Sequence, residues 1–250
     1  NDDQLDRMTY KYASMTEEFY TTSGLPVVTP SNFEDFMQAH EDLRITWDLQ
    51  ERCSGTGRLS SQARIEGLCV GFPVDFRYGW DLGNPEHMDK LRRADDKFKP
   101  HITFNAPDCR VWGNFSKQRD PQMLEYERDL ERPYLEAMHQ HDKHVAAEGR
   151  VYITENPWES DIWNSSPLRK RYEIPSHRKL QRTDQCRHGC TIEDGSPIMK
   201  ATGWDANIPL GRNTVLLRCY PGAHGGRPHG QLKGKAPGDH LNRTARAAVY

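Results

Sequence analysis

From Ile45 onward, the chain alternates short apolar runs with segments whose apolar residues recur every three or four positions. The apolar runs predict four β-strands: ITWDLQE, LCVGFPVD, HITFNAP and RVYITENP. The segments between them predict α-helices: GRLSSQARIEG, NPEHMDKLRRADDKF and a long stretch from Asp120-Pro121 to about Glu148. Strands that alternate with helices in this way favour an α/β fold with a mainly parallel sheet and flanking helices.

Individual residues within these segments indicate where the helices begin and bend. Asn84 is expected to cap the second helix, with Pro85 in its first turn. Pro133 is expected to kink the long helix or divide it in two, because proline lacks the N–H that an inner turn uses.

The two ends of the chain are less regular than its middle. Residues 1–44 contain short helical pieces, a proline-punctuated linker and the helix FEDFMQAHEDL, capped by Ser31 or Asn32. After residue 165 the pattern gives way to turns, with two further predicted strands, KLQRTDQC and TVLLRCY, and a loop over 219–240. We therefore divide the chain into an N-terminal extension (1–44), an α/β core (45–165) and a C-terminal section (166–250) that completes the sheet.

Composition excludes some classes of protein. The 250 residues contain no apolar run near the roughly 20 residues that a membrane helix needs. The acidic start, NDDQLDRMTYKY, lacks the apolar core of a signal peptide. Six cysteines are too few for a disulfide scaffold in a chain of this length, so we expect a reducing, intracellular setting in the nucleus or cytoplasm.

The net charge of −2 conceals an asymmetry along the chain. Residues 1–50 carry ten acidic and three basic side chains, whereas residues 164–250 carry fifteen basic and six acidic ones. A basic section suits a phosphate-bearing partner, because Lys and Arg displace the counterions of a nucleic acid. A solvated basic face is the alternative interpretation.

A glycine-containing turn follows the first predicted strand. Ser54, Gly55 and Gly57 stand between this strand and the next helix, where glycines let the backbone approach a ligand and the helix start offers free N–H groups. Asp75 ends the following strand, about twenty residues further on, at the position from which an acid reaches ribose hydroxyls; Asp81 follows at the next turn. The alternative is an ordinary tight turn with two helix-capping acids.

Two further predicted strands end in residues that can carry chemistry. The third ends in Asn105-Ala-Pro-Asp-Cys109, and a thiol at the carboxyl edge of a parallel sheet is well placed for catalysis. The fourth ends in Glu155-Asn-Pro, where a carboxylate can hold and protonate a heterocycle. The alternatives are a buried, packing cysteine and a glutamate that pairs with an arginine of the basic section.

The order of these pieces resembles the S-adenosylmethionine-dependent methyltransferase fold, a Rossmann-like sheet. More narrowly, it resembles the DNA (cytosine-5) methyltransferases, whose equivalent turns read Pro-Cys and Glu-Asn-Val. The chain also looks like methyltransferase-like segments in retroelement-type polyproteins of dinoflagellates and related protists, which carry GWDL, Pro-Asp-Cys and Glu-x-Pro. The resemblance covers about residues 45–235.

This resemblance implies a role for each matching residue. Cys109 would add to C6 of cytosine, and Glu155 would contact N3 and the exocyclic amine. The cofactor S-adenosylmethionine would lie against the residues that match the family's cofactor site: Ser54, Gly55, Gly57, Asp75, Asp81 and Asn105.

The chain also departs from the family pattern around the cysteine. Asp108 stands where proline is usual and Arg110 where glutamine is usual. Pro157 replaces a valine, and LQRTDQCR is at most a remnant of a Gln-x-Arg-x-Arg strand. An acid beside the thiol is expected to raise its pKa unless Arg110 offsets the charge.

Cysteines and histidines form two groups in the C-terminal section, QCRHGC and CYPGAHGGRPH. Thiolate and imidazole ligands from two groups about thirty residues apart suit tetrahedral Zn²⁺. We expect Cys186, Cys219, His224 and His229 as ligands, with Cys190 or His188 as substitutes. The alternative is a buried free cysteine with surface histidines.

The function expected from the sequence is methyl transfer from S-adenosylmethionine to a nucleic-acid base, with DNA favoured over RNA. One alternative is an inactive methyltransferase-like module that binds nucleic acid or serves assembly within a retroelement-type polyprotein. Another is an amino-methyltransferase, if Asn105-Ala-Pro-Asp is a distorted Asn-Pro-Pro-aromatic turn.

Overall fold

The computed structural model describes residues 25–192 and 194–230, except for the side chain of Phe115. The helical pieces predicted before residue 25, and the chain beyond residue 230, lie outside this part. Within it, one five-stranded sheet has the order β1-β2-β3-β5-β4. Its strands are β1 (Leu49–Arg52), β2 (Ile102–Asn105), β3 (Val151–Pro157), β4 (Gln181–Asp184) and β5 (Ala201–Ala206).

Most of the sheet is parallel. β1 pairs with β2, and β2 with β3, in parallel register. β5 runs antiparallel to both β3 and β4, so β4 points the same way as β3. The predicted α/β architecture with a mainly parallel sheet is therefore confirmed, and residues after 165 contribute β4 and β5.

Five α-helices connect or flank the strands in the described residues. Four are of moderate or short length: α1 (Phe33–Ala39), α2 (Arg58–Ile65), α3 (Pro85–Phe98) and α5 (Ile162–Ser165). The longest of the five, α4 (Pro121–Ala147), is a single helix of 27 residues that continues through Pro133, so the predicted division does not occur. Four 3₁₀ turns lie in the remaining connections of the described residues.

Two of the predicted helix starts are confirmed by their hydrogen bonds, whereas Asn32 precedes α1 without a capping bond from its side chain. The side chain of Asn84 accepts from the Glu86 N–H, and that of Asp120 from the Met123 N–H, each at 2.9 Å. A proline follows each of these two caps, where its missing N–H costs nothing.

Two of the strand predictions were wrong. LCVGFPVD forms only two isolated bridges, Val70 to Leu49 and Val74 to Arg52, because Pro73 has no N–H for a regular ladder. TVLLRCY forms no strand; its Leu217 carbonyl accepts from the Asp184 N–H at 2.8 Å and from the Thr183 hydroxyl at 3.0 Å. The place beside β3 is taken by β5, ATGWDA, whose glycine, aspartate and alanines have low strand propensity.

The main hydrophobic core lies on the sheet face covered by α3 and α4. Trp47 stacks on Phe98 with ring centroids 4.2 Å apart, and Phe72 stacks on Trp80 at 5.6 Å. Residues 25–44 of the N-terminal extension pack onto this core, where Phe33 is fully buried with its ring edge-on to Phe72 and Trp80. Helix α2 covers the opposite face at Leu49 and Phe104.

A buried ion pair joins α3 to the start of β3. The Arg150 guanidinium lies 2.6 Å from Asp95, whose side chain is almost fully buried, and His141 Nε2 lies 3.3 Å from the same carboxylate. Burial alone would raise the pKa of Asp95, but the hydrogen bonds from His141 and Arg150 outweigh it and lower that pKa. The charged form of Asp95 therefore stabilises the fold.

We expect Asp95→Asn to lower the free energy of unfolding by about 3 kcal/mol, because the buried Arg150 guanidinium loses its buried partner and keeps only the more exposed Glu148. Since the folded pKa of Asp95 lies below its unfolded value near 4, its contribution is present above that pH and is lost as pH falls further. Urea unfolding should therefore show wild type losing more stability than the variant between about pH 5 and pH 2.

Asp96→Asn is the matched control. Asp96 is exposed on the same helix and pairs with Arg92 at 3.3 Å. Exposed pairs contribute little, so this change should alter stability by less than about 1 kcal/mol. Equal losses in the two variants would contradict the structural role of Asp95.

Candidate functional site

A cleft of about 250 Å³ opens at the carboxyl ends of β1 and β2. The chain leaves β1 towards residues 70–74 on one side and later returns to β2 on its other side, so the strand order reverses here. Open α/β sheets bind ligands in the crevice at such a reversal. The lining residues come from several elements: Cys53, Asp75, Phe76, Trp80, Leu82, Ala106, Asp108 and Tyr134.

The predicted glycine turn directly follows Cys53, which lines the β1 side of this cleft. The Ser54 N–H donates to the Val74 carbonyl at 3.1 Å, which joins the turn to the neighbouring edge segment. Gly55 and Gly57 have φ of +55° and +69°, a region that favours glycine. A Cβ on Gly57 would meet Leu25 and Pro73 at 3.3 and 3.4 Å, whereas one on Gly55 would point into open space.

Asp75 lies in the cleft wall and organises the turn. One oxygen of its carboxylate accepts from the Gly55 N–H and the other from the Arg77 N–H, both at 3.0 Å. Asp81 is buried nearby and accepts from the Gly83 N–H at 2.8 Å, between the cleft residues Trp80 and Leu82. Both predicted acids therefore lie at this edge of the sheet.

Asn105 is placed differently from the other predicted cofactor residues. It is fully buried on the face covered by α4, where its amide nitrogen donates to Asp142 at 2.9 Å and to Thr154 at 3.2 Å. These bonds give Asn105 a role in joining β2, β3 and α4 beneath the cleft.

Cys109 lies in the turn after β2, and the turn is fixed by contacts of its neighbours. The Asn156 side chain donates to the Pro107 carbonyl at 2.7 Å, and the Gly113 N–H donates to the Cys109 carbonyl at 2.7 Å. Trp112 is fully buried, with its indole N–H on Glu131 at 3.0 Å and the Arg128 guanidinium over its ring. The tryptophan thus anchors the turn that presents the half-buried thiol.

The charges around the thiol come from three segments. Glu155 is buried in β3, the strand next to β2, and Lys200 immediately precedes β5. Burial is the main reason that the pKa of Cys109 rises to about 11; Asp108 and Glu155 add to the rise, and Lys200 opposes it. Arg110 lies 3.9 Å from both Asp108 and Glu131. The rise in pKa expected from Asp108 is thus present in this structure.

The predicted metal ligands converge in the C-terminal section. Cys186, Cys219, His224 and His229 each place one ligand atom within 4.8 Å of those of the other three. Cys190 and His188 are not in this group, and His188 Nε2 is instead 2.8 Å from the Thr183 hydroxyl.

Some residues of the site were not anticipated from the sequence. Tyr134 reaches the cleft from the middle of α4, and Lys200 lowers the pKa of the thiol from the loop before β5, so only the tertiary fold brings them there. Glu51 in β1 accepts from the N–H and hydroxyl of Ser60 at 3.0 and 2.6 Å, and burial raises its pKa to about 7. In the sequence, the feature that could have identified Glu51 is its position in a predicted strand next to a glycine turn.

Comparison with known proteins gives no family assignment, since no family model and no curated protein matches the chain. In the described residues, no helix has both the length and the apolar character needed to cross a membrane.

We expect Asp108→Asn to increase the alkylation rate of Cys109 several-fold at pH 8. Removing the neighbouring negative charge lowers the pKa of the thiol and raises its thiolate fraction, which outweighs the smaller fall in intrinsic nucleophilicity. The asparagine oxygen can still accept from the Arg110 N–H, a bond of 2.8 Å, so the turn should persist. Iodoacetamide labelling followed by peptide mass spectrometry measures the rate.

Cys69 serves as an internal control in the same labelling experiment. It is exposed and lies in another part of the structure, so its rate should be unchanged in the variant. An unchanged rate at Cys109 would show that Asp108 does not hold the pKa of the thiol up.

Proposed function

We propose that the protein transfers a methyl group from S-adenosylmethionine to C5 of cytosine in a nucleic acid, DNA rather than RNA, through Cys109. The corresponding fold is a Rossmann-like sheet of methyltransferase type. The observation that carries the proposal is the cleft at the strand reversal, with the glycine turn and Asp75 on one side and the Pro-Asp-Cys109 turn on the next strand.

The residues of the cleft suit a cofactor with a nucleoside end. The open space beside Gly55 would admit the backbone approach that a ligand needs, and Asp75 stands where an acid can accept from ribose hydroxyls. Trp80 and Leu82 supply apolar surface, and Asp81 lies between them. The cleft volume of about 250 Å³ approaches the roughly 300 Å³ at which ligand pockets begin.

The residues on the base side suit nucleophilic catalysis. When bound, the cofactor would supply an electrophilic methyl group. Cys109 would add to C6 as a thiolate, which makes C5 nucleophilic, while Glu155 would hold N3 and the exocyclic amine. The target base must first leave its stack to reach the thiol.

The charges near Cys109 affect the pKa of its thiol and therefore the fraction that is present as the reactive thiolate. With a pKa of about 11, about one Cys109 in ten thousand is ionised at pH 7. A positively charged cofactor beside the thiol would lower that pKa, as Lys200 already does in part. Reactivity would therefore depend on cofactor binding.

The C-terminal section supplies surface for the nucleic acid. Tyr220 is 58% exposed, and the Arg187 guanidinium lies 4.7 Å from the centroid of its ring. An exposed aromatic ring with an adjacent arginine can stack on an unpaired base while the positive charge attracts phosphate.

An inactive methyltransferase-like module, serving nucleic-acid binding or assembly, is the second candidate. The raised pKa of Cys109 favours it, because catalytic cysteines are usually activated by a lowered pKa. The two candidates differ in whether they need the cofactor: methyl transfer requires binding of S-adenosylmethionine, whereas an inactive module does not.

We expect isothermal titration with S-adenosylhomocysteine to show binding at one site per chain, and Gly55→Val to abolish it. The branched side chain would enter the open space beside the turn without touching the buried sheet. Stability should change by only about 1 kcal/mol.

Gly67→Val is the matched control for backbone strain. Gly67 also has a positive φ, +88°, with open space beside its Cβ position, but it follows α2, whereas Gly55 is hydrogen-bonded to the cleft residue Asp75. It should bind S-adenosylhomocysteine as wild type does. Absence of binding in wild type would sink the methyl-transfer proposal and favour the inactive module.

We expect a DNA strand containing 5-fluorocytosine to form a covalent adduct with wild type in the presence of S-adenosylmethionine. The fluorine blocks the loss of the C5 proton that would release the thiol. Cys109→Ser should form no adduct yet retain affinity for S-adenosylhomocysteine, since the thiol contacts the base. Denaturing gel electrophoresis detects the adduct, and an adduct that persists in Cys109→Ser would exclude Cys109 as the nucleophile.

A further inference from the structure

Four potential metal ligands meet where the C-terminal section folds back on the sheet. Cys186 lies in the 3₁₀ turn that directly follows β4, and Cys219, His224 and His229 lie in the segment 219–229. Cys219 Sγ is 3.5 Å from His224 Nε2 and 3.4 Å from His229 Nε2. The four ligand atoms all lie within 4.8 Å of one another.

These spacings agree with tetrahedral zinc coordination. With Zn–S near 2.3 Å and Zn–N near 2.05 Å, a tetrahedral angle sets sulfur and nitrogen about 3.5 Å apart. Both sulfur–nitrogen distances at Cys219 match this value. A set of two thiolates and two imidazoles in a tetrahedron is typical of Zn²⁺.

The segment that carries three of the ligands has little else to order it. Residues 219–230 are all described, and none of them is buried or belongs to a helix or strand. Gly222, Gly225 and Gly226 have positive φ, which lets this segment double back so that both histidines face Cys219. A segment without an apolar core needs another source of stability, and a bound metal ion supplies it.

We propose that Cys186, Cys219, His224 and His229 bind one Zn²⁺ in a closed structural site that fastens residues 219–229 to the end of β4. All four positions are filled by protein, so no position remains for water or substrate, as in structural zinc sites. Two thiolates balance the charge of the ion.

The surroundings of Cys219 hold it in place for this role. Asp184, at the end of β4 and almost fully buried, accepts from the Cys219 N–H at 2.8 Å. The same carboxylate accepts from Arg182 at 2.9 Å and from Arg218 at 3.3 Å. One buried acid thus positions the backbone of a ligand from a different segment.

A second group of possible ligands does not indicate a metal site. Asp95, His144 and Glu148 also approach one another, but Arg150 lies 2.6 Å from both carboxylates. A guanidinium already neutralises this group, so it is an ion-pair network.

The zinc site connects to the candidate catalytic edge by a short path. Gln185, which precedes the ligand Cys186, donates its N–H to the Lys200 carbonyl at 3.0 Å. Lys200 in turn lowers the pKa of Cys109. The zinc proposal rests on the ligand geometry alone and stands whether or not the protein transfers methyl groups.

The test is the zinc content of the purified full chain, measured by inductively coupled plasma mass spectrometry after reconstitution with zinc and removal of excess. Wild type should retain one zinc per chain, and Cys186→Ser and Cys219→Ser should lose it. Cys190→Ser is the matched control, because Cys190 is also partly buried and stands four residues from Cys186, outside the group of ligands. It should retain the full content.

Cobalt substitution tests the geometry and guards against variants that fail to fold. Wild type loaded with Co²⁺ should show thiolate charge-transfer absorption and the intense visible bands of tetrahedral cobalt. His229→Gln, which keeps both thiolates, should keep the charge-transfer bands and lose intensity in the visible. Metal-free wild type after reconstitution, an octahedral cobalt spectrum, or equal zinc loss in Cys190→Ser and Cys186→Ser would each overturn the proposal.

Discussion

The reversal of strand order beside β1 is the constraint on which the candidate site depends. Because the chain passes from β1 to residues 70–74 on one side and then to β2 on the other, its connections diverge and leave a crevice at the carboxyl edge. Hydrogen bonds from Ser54 to Val74 and from Gly55 to Asp75 hold one wall of this crevice. The second wall is the turn after β2, held by Asn156. In each wall, a side chain thus holds the main chain of a turn by a hydrogen bond, Asp75 in the first and Asn156 in the second.

Local signals in the sequence predicted most of the elements, whereas tertiary pairing decided the exceptions. Helices α3 and α4 begin at capping residues that act through bonds to their own first turn, so the sequence suffices to locate them. β5 has no comparable signal, since its pairing depends on β3 and on space beside it. Gly203 shows this: a Cβ there would meet Trp163 Nε1 at 3.2 Å. The packing against Trp163 therefore favours glycine at position 203. In the sequence alone, this glycine resembles a break in a strand.

The residues of the candidate site also differ in how well the sequence predicts their positions. The position of the glycine turn beside Asp75 could be predicted, because parallel strands bring their carboxyl ends to one edge of the sheet. The grouping of Cys186 with Cys219, His224 and His229 could be predicted from the residue types alone. The contributions of Tyr134 and Lys200 could not, since each comes from an element whose position depends on the whole fold. Asn105 was grouped with the cleft by its place at a strand end, yet its side chain is fully buried and hydrogen-bonded to Asp142 of α4.

The backbone of the turn that carries Cys109 is held by groups other than the cysteine side chain. Its shape is maintained by the carbonyls of Pro107 and Cys109, by buried Trp112 and by Asn156, none of which uses the thiol. A lineage could therefore replace the side chain at this position, or lose its reactivity, without disturbing the backbone around it. The backbone architecture of this edge therefore does not depend on the reactivity of the thiol.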